Sequence, residues 1–593
     1  MSSDATTLLL SRTSRLKPFA LVHARANRAV RTQMFIGSLA MLAIIAASLL
    51  LVAVAAIRPS LLVPPTYPHY YPHWLAGPLG GLWSRFTNDP YTLEQLMTYS
   101  LLGMYGCYLV ALACAPRLRT GIVVAALVAV HIVFFLSPPL ALTDIFNYLN
   151  YGRMEIVHHL NPYASIPKIE PHTDPTFPLS NWHDLFSPYG PLFTILTFAL
   201  VPLGVAKSFW VMKGILMVAS LSMITLVWRC ALLLGRDPRR AAIFVGLNPI
   251  VLVWGLGGDH NDFITVFFIM LAFYLLLRSR VRRESQSQAQ VPTAFFATVG
   301  AREVAIPAAA MPAAAGAGLG VRGAAAAVKN PSPPVAALIS RLRTTGRANG
   351  AAALAPAANG GPRLPRLAAS PASLLTQVGG WLWPLAPVEI AAGAALIVAV
   401  AIKASAAILL PVVLLGLLWW PRRATQALIG MFFTAVTVAV VSYIAFGVHI
   451  PDLSTQDKLI TLESVPNLVG LALGQGGETT VMRAIIQLCL VAVVLFASMM
   501  AWRRREFVTP AGWVTLALIL TLSWVLPWYL LWLLPLAALA RSRLLCACTL
   551  VLGVYMILVW APLAPTWYSK IGFYPNKTQL GRQHQRETKL LLH

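Results

Sequence analysis

Thr120–Met154 reads TGIVVAALVAVHIVFFLSPPLALTDIFNYLNYGRM. To about residue 141 it is an apolar run of the length, about 20 residues, that crosses a bilayer as one α-helix. The run stops at TDIFNYLNYGRM (Thr143–Met154), which opens a loop, 143–188, that is polar by this chain's standards. An ionisable group at the membrane end of a helix is costly and needs a reason. On the residues alone Asp144 has two readings. It is the N-cap of an interfacial helix, or a partly desolvated carboxylate fit to act as a general base.

The rest of the chain repeats this alternation. It is 58% hydrophobic and only 11% charged, where a soluble domain carries about 25% charged residues. The expected fold class is therefore all-α, a polytopic transmembrane helical bundle of about 13 spans. No strand alternation of the β-barrel kind appears. The net charge of +25 falls mostly in loops between apolar runs, where Lys and Arg set topology. It predicts membrane lipids as surroundings and speaks against nucleic acid as a partner. Cys107, Cys114, Cys230, Cys489, Cys546 and Cys548 lie in apolar segments without ligand spacing, so they read as packing residues.

Tracking positive charge divides the chain. Residues 1–33 form a basic cytoplasmic N-terminus, and 34–278 an N-terminal membrane half whose loop 143–188 faces outward. Residues 191–206 either cross or form a half-helix. The Ala/Pro/Arg-rich insertion 279–380 cannot bury much surface and reads as a disordered cytoplasmic linker. A C-terminal membrane half, 381–560, precedes the tail 561–593. Basic turns at Arg236–Arg240 and Arg422-Arg423 mark the inner side. From Arg240 the chain runs outward to about Trp254 and turns at GLGGDHND, which lands on the same outer side as Asp144, as does Lys403.

Charge is rare in the spans, so the outer polar groups stand out. Asp144, Arg153, Glu155, His158, His159, Asp184, Asp259, His260, Asp262 and Lys403 come from three separate outer turns that could share one cavity. A carboxylate beside a cation able to hold a phosphate suggests group transfer from a lipid-borne phosphate donor. Each has a plainer reading. His158-His159 is an interfacial pair, the GGDHND turn ends in a helix cap at Asn261 or Asp262, and Lys403 snorkels to the interface. Trp528 and Tyr529 are aromatic-belt anchors.

TDIFNYLNYGRM, then LNPY (160–163), SPYGPL (187–192), LNPIVL (247–252) and GGDHND (257–262) occur in this order. With KASAAILLPVVLL and LPWYLLWLLPL further on, the pattern resembles the polyprenol-phosphate-mannose-dependent α-mannosyltransferases of actinobacteria, in the GT-C superfamily. The α-1,6-mannosyltransferases of lipomannan and lipoarabinomannan synthesis are the nearest match by motif. The similarity covers roughly 120–278 and 381–560, is weaker before 120 and is absent over the insertion.

The resemblance implies an inverting glycosyltransferase that needs no cofactor, metal or nucleotide sugar. Its partners would be a polyprenyl-phosphate sugar donor and a glycan or glycolipid acceptor, at the outer face of a bacterial cytoplasmic membrane. It implies that Asp144 is the base acting on the acceptor hydroxyl. Lys403, Arg153 and His260 are then candidates for the donor phosphate. Tyr148, Asn161, Tyr163, Trp182, Tyr189, Asp262 and Trp528 are candidates for sugar or isoprene contacts. The alternatives are the same fold with a glucosyl or arabinosyl lipid, a transporter or flippase, and a silent assembly subunit.

Overall fold

The computed structural model describes residues 4–57, 72–79, 89–140, 144–289, 387–452 and 459–574, with Lys577 and Arg582. Almost all of these belong to one compact unit, Met1–Ser287 with Leu382–His593; the other unit, Gln288–Trp381, lies almost wholly outside the described residues, as does Thr143. The described residues are helical, with no strand among them.

The first half contains α1 (Asp4–Ile57), α2 (Pro90–Cys114), α3 (Thr120–Phe135), α4 (Asp144–His158), α5 (Pro191–Phe198), α6 (Val205–Leu233), α7 (Pro238–Gly246) and α8 (Asp262–Ala289). The second contains α9 (Pro387–Ile402), α10 (Leu410–Leu417), α11 (Pro421–Phe446), α12 (Val465–Ala472), α13 (Thr480–Arg504), α14 (Val508–Thr521), α15 (Leu530–Leu539), α16 (Arg543–Trp560) and α17 (Ala564–Lys570). Among the described residues, seven helices are long and apolar enough to span a membrane, and six shorter apolar helices accompany them. The chain is a polytopic helical membrane protein.

Several helices start in the same way. Asp89 accepts from the backbone N–H of Thr92, Asp237 from Arg239, and Ser542 from Leu545. Each side chain satisfies an N–H that the first turn leaves without a partner. Pro90 and Pro238 follow at the first helical position, where a missing N–H is harmless.

Helix α15 packs against α6, α7, α14 and α16. Leu530, Leu531, Leu533, Leu534, Leu536 and Ala537 of α15 are all buried, as expected of a helix that is apolar around its whole circumference. By contrast Phe432, Phe433 and Tyr443 of α11 and Leu488 of α13 are exposed. Such apolar faces suit lipid rather than water.

The structure adds detail to the sequence reading at four places. The basic N-terminal stretch is continuous with the first span, both lying in α1. The outward run from Arg240 is not one helix: α7 stops at Gly246, and a wide π-helical turn, Val251–Leu256, follows. Pro249 causes this break, having no N–H to give back to the preceding turn, while Asn248 Oδ1 takes the N–H of Ile250 at 3.0 Å. α8 continues past residue 279 to Ala289.

Lastly, Arg422-Arg423 is not a simple surface turn, because both residues lie in α11 and Arg423 is buried. Arg423 Nε donates to Glu389 Oε1 at 3.1 Å and its Nη2 to the Leu276 carbonyl at 2.6 Å. Ser279 Oγ donates to the same Glu389 oxygen, and Arg283 Nη2 donates to it at 3.3 Å. This bracket ties α8, α9 and α11 together on either side of the insertion.

One close approach positions the site. Gly190, in SPYGPL, donates its N–H to the Ile402 carbonyl at 3.0 Å, and a Cβ there would lie 2.1 Å from the Ala401 carbonyl oxygen. Only glycine lets this turn lie against the end of α9. The residue after Ile402 is Lys403.

Candidate active site

Asp144 is the first residue of α4, and its carboxylate lines a cavity of about 360 Å³. The helical period places Asn147, Tyr148 and Tyr151 on its face. Asn147 works as a clamp: its Nδ2 donates to Asn181 Oδ1 at 2.8 Å, and its Oδ1 accepts from the Asn181 and Trp182 N–H groups at 3.0 and 3.3 Å. Held this way, the Trp182 indole donates to Asp144 Oδ1 at 3.3 Å. Tyr148 packs edge-on against Tyr189 and Phe193. The Tyr151 hydroxyl donates to the Leu185 carbonyl at 2.9 Å.

GGDHND forms the facing wall. His260 Nδ1 lies 3.4 Å from Asp144 Oδ2, and the ring is stacked on Trp528 with centroids 3.7 Å apart. A Cβ on Gly258 would meet His260 Nε2 at 2.8 Å and the Trp254 carbonyl at 2.2 Å, so glycine is required for the imidazole to lie here. Asp259 takes a left-handed backbone, φ 56°, uncommon for a residue with a side chain. Its carboxylate is anchored behind the site by Lys213 of α6, whose Nζ lies 3.3 and 3.4 Å from the two Asp259 oxygens. Lys213 also donates to the Ser137 carbonyl at 2.9 Å. Burial pushes the Asp259 carboxyl up, and Lys213 pulls it only part of the way back, to about 6.

Asp262, the first residue of α8, meets Lys403 Nζ at 2.7 Å and accepts from the Trp532 indole as well. The Lys403 ammonium lies 5.3 and 5.1 Å from the Tyr529 and Trp532 ring centres. The wall nonetheless keeps unsatisfied polar atoms. Both side-chain atoms of Asn261, the second oxygen of Asp262 and the ring nitrogens of His260 are buried without a hydrogen-bond partner among the described residues. Buried polar atoms are rarely left so; the residues that carry them line a cavity of the size that takes a small molecule.

The structure thus brings Asp144, Tyr148, Trp182, Tyr189, His260, Asp262, Lys403 and Trp528 to one cavity. Arg153, Asn161 and Tyr163 are not among its lining residues. Arg153 Nη2 pairs with Asp174 at 2.9 Å, beside His158 Nε2 at 2.8 Å from the same oxygen. Burial raises the Asp174 carboxyl, but Arg153, Thr176 and His158 outweigh it and hold it at about 2. Asn161 donates to the Phe446 carbonyl at 2.9 Å, and the Tyr163 ring packs on Phe446; both brace the loop against α11. Sequence reasoning passed over Asn147, Tyr151, Lys213 and Arg483, the last a cavity residue of α13, and read Asn261 only as a helix cap. Among the described residues no group of three or more His, Cys, Asp or Glu side chains could hold a metal ion.

Two family models match the chain. Residues 34–338 match the alpha-(1->6)-mannopyranosyltransferase N-terminal domain, and residues 462–573 match the MptB C-terminal domain. The first match starts well before residue 120 and runs into the insertion, so the similarity is wider there than the motifs suggested; 339–461 falls between the two. Searches of curated proteins and of solved structures return no significant match. The motif order, the helical membrane fold and a match over more than half of the 593 residues agree: the chain belongs to the alpha-(1->6)-mannopyranosyltransferase family, membrane glycosyltransferases of the GT-C type.

Proposed function

We propose that the protein transfers mannose from a polyprenyl-phosphate donor to a mannan or lipid-linked glycan, at the outer face of a bacterial cytoplasmic membrane. Asp144 is the general base, and the product is α-linked. The observation that carries this reading is the carboxylate of Asp144 on one wall of the cavity, facing the unsatisfied polar atoms of GGDHND on the other.

The chemistry is a single displacement. The acceptor hydroxyl oxygen attacks the anomeric carbon from the face opposite the phosphate as Asp144 takes its proton. The carbon–oxygen bond to phosphate breaks, and the electron pair leaves with the polyprenyl phosphate. A β-linked donor thus gives an α product. No second carboxylate is needed, because the phosphate leaves without protonation, unlike the leaving group of a glycoside hydrolase.

The neighbours have distinct tasks. The Trp182 indole orients the Asp144 carboxylate, His260 Nδ1 stands 3.4 Å from its other oxygen, and the stack on Trp528 keeps His260 in plane. Lys403 brings positive charge to the water-poor cavity, where it is worth more than in solvent. Asn261 and the second Asp262 oxygen are the polar atoms that sugar hydroxyls would satisfy. Residues 34–278 and the helices after 386 act as the two membrane halves, with 143–188 as the loop that carries the base.

The test is product analysis of purified protein offered a polyprenyl-phosphate mannose and a mannan acceptor. Asp144→Asn should fold normally and lose at least about 10²-fold in turnover, the scale of a general base. Full activity in Asp144→Asn would remove the assignment. Transfer from a glucosyl or arabinosyl lipid, with none from the mannosyl lipid, would remove the donor.

A further inference from the structure

The end of the bundle away from the cavity carries a second ordered cluster. Asp262, at the cavity, and Ser279 both lie in α8, about 26 Å apart at 1.5 Å per residue. That is close to the hydrocarbon thickness of a bilayer, about 30 Å. Ser279 belongs to the Glu389–Arg423 bracket, so the bracket stands at the membrane boundary opposite Asp144. Helix α13 ends at the same place, because Arg280 Nη1 donates to the Arg505 carbonyl at 3.2 Å.

Tryptophans organise the arginines here. The Arg280 and Arg423 guanidinium carbons lie 5.7 and 5.6 Å from the Trp420 ring centre. That of Arg505 lies 4.1 Å from the centre of Trp419, which is stacked on Trp502 and donates its indole N–H to the Trp502 carbonyl. Leu418, Trp419 and Trp502 are exposed, as expected where hydrocarbon gives way to headgroups. Arginines that only set topology need no such seats.

The backbone of Arg505 points the same way. It is the residue directly after α13, with φ 53° and ψ 37°. Glycine or asparagine is usual at such a helix end, and a larger side chain there costs stability. The chain carries that cost and has in return an exposed guanidinium held over Trp419.

Positive charge is left over. Glu389 is taken up by Arg423, Arg283 and Ser279, and Glu506 Oε1 accepts the Thr509 N–H at 2.9 Å. Arg422, Arg503, Arg504 and Arg505 have no carboxylate partner among the described residues. The segment 290–386 carries eight Arg or Lys and one Glu, so its charge does not complement the cluster. A lipid phosphate does, and it lies at this depth with its chains beside the exposed tryptophans.

We propose that Arg505, seated on Trp419 and tied through its carbonyl to Arg280, holds the phosphate of an anionic phospholipid in the leaflet opposite the cavity. The planar guanidinium gives paired N–H groups to two phosphate oxygens. The acyl chains meet Leu418 and the outer face of Trp419. A lipid held there binds the folded chain alone and stabilises it by mass action.

The experiment titrates the full chain in detergent with phosphatidylglycerol, and separately with phosphatidylcholine, counting bound lipid by native mass spectrometry. Phosphatidylglycerol should bind in a saturable step and raise the melting temperature, and phosphatidylcholine should do neither. Arg505→Gly, which also relieves the left-handed backbone, should weaken that step about fivefold or more, the scale of one arginine at an anionic surface. Arg504→Gln removes the same charge one residue away and should change it far less.

Equal weakening in the two variants would mean diffuse attraction of like strength and would overturn the inference, as would undiminished binding in Arg505→Gly. Displacement of the lipid by an equal concentration of inorganic phosphate would make this a free-anion site and overturn the lipid assignment; retention supports it. If Arg505→Gly fails to fold, Trp419→Leu decides on the same comparison with Arg504→Gln.

Discussion

Lys213→Met tests the anchor behind the site. The Lys213 and Asp259 side chains are 1% and 2% exposed, so neither charge has water to fall back on. Methionine keeps most of the stem beside Phe209 and Trp210 and removes the ammonium. Removing one partner of a buried pair typically costs about 3–5 kcal/mol. The Asp259 carboxyl already stands at about 6 with Lys213 present; without it the group rises further and binds a proton. A carboxyl raised in the folded state loses stability as pH rises through the unfolded value toward the folded one. The loss should therefore be smallest near pH 5 and grow toward pH 8.

The consequence for catalysis is separate. Asp259 holds a left-handed backbone directly before His260, and without its anchor the imidazole leaves Asp144. A misplacement of about 1 Å can cost on the order of 10²-fold in rate. The assay is thermal unfolding across pH together with mannosyl-transfer rates. The double variant Lys213→Met with Asp259→Asn, which removes both charges, should melt higher than Lys213→Met alone. Melting and turnover equal to the unaltered protein in Lys213→Met would refute the reasoning, as would a double variant no more stable than the single.

Other positions give contrasting outcomes. Arg153→Gln should lower the melting temperature through the loss of its Asp174 pair, at a cost of about 1–3 kcal/mol, and leave the donor KM unchanged in steady-state assays. Asn147→Ala releases the 181–182 backbone and so the Trp182 indole; turnover should fall about tenfold or more with little change in acceptor KM, as expected for lost orientation. Glu170 is buried with neither carboxylate oxygen paired among the described residues, and burial raises it from 4.5 to about 7. Its proton is bound more tightly in the folded chain, so it costs stability as pH rises from about 4.5 to 7. Glu170→Gln should then raise stability at pH 8 by about 1–3 kcal/mol, the upper end being the full linkage energy and the lower end allowing for solvent screening. Denaturation curves at pH 4 should show little effect.

The sequence was most informative where one signal had one cause. Apolar run length and scarce charge were enough for a helical membrane bundle, and ordered motifs were enough for the family. Helical periodicity would have gone further with Arg153. It lies nine residues after Asp144, and about 100° per residue puts it on the opposite face of α4. The same arithmetic puts Asn147, Tyr148 and Tyr151 on the Asp144 face, where the structure has them. Lys213 was hidden in a span that also carries Lys207 and Arg229, although an intramembrane cation is itself a signal of function. Arg483 lies in the first turn of its helix, where an arginine also reads as an interfacial anchor. The break at Pro249 was visible in LNPIVL, but not that a π turn would follow it and set the register of GGDHND.

The Glu389–Arg423 bracket bears on how this chain tolerates change. It holds Ser279 and Arg283 of α8 against Glu389 in the first turn of α9, so the helices on either side of the segment between 289 and 387 are joined to one another. Closing a loop whose ends are already pinned costs little more as it lengthens, about 0.6 kcal/mol for each doubling. Insertions and deletions in that segment are therefore thermodynamically cheap, whereas a single change at Glu389 is not. Drift in length and selection for catalysis can proceed in the same polypeptide without constraining one another.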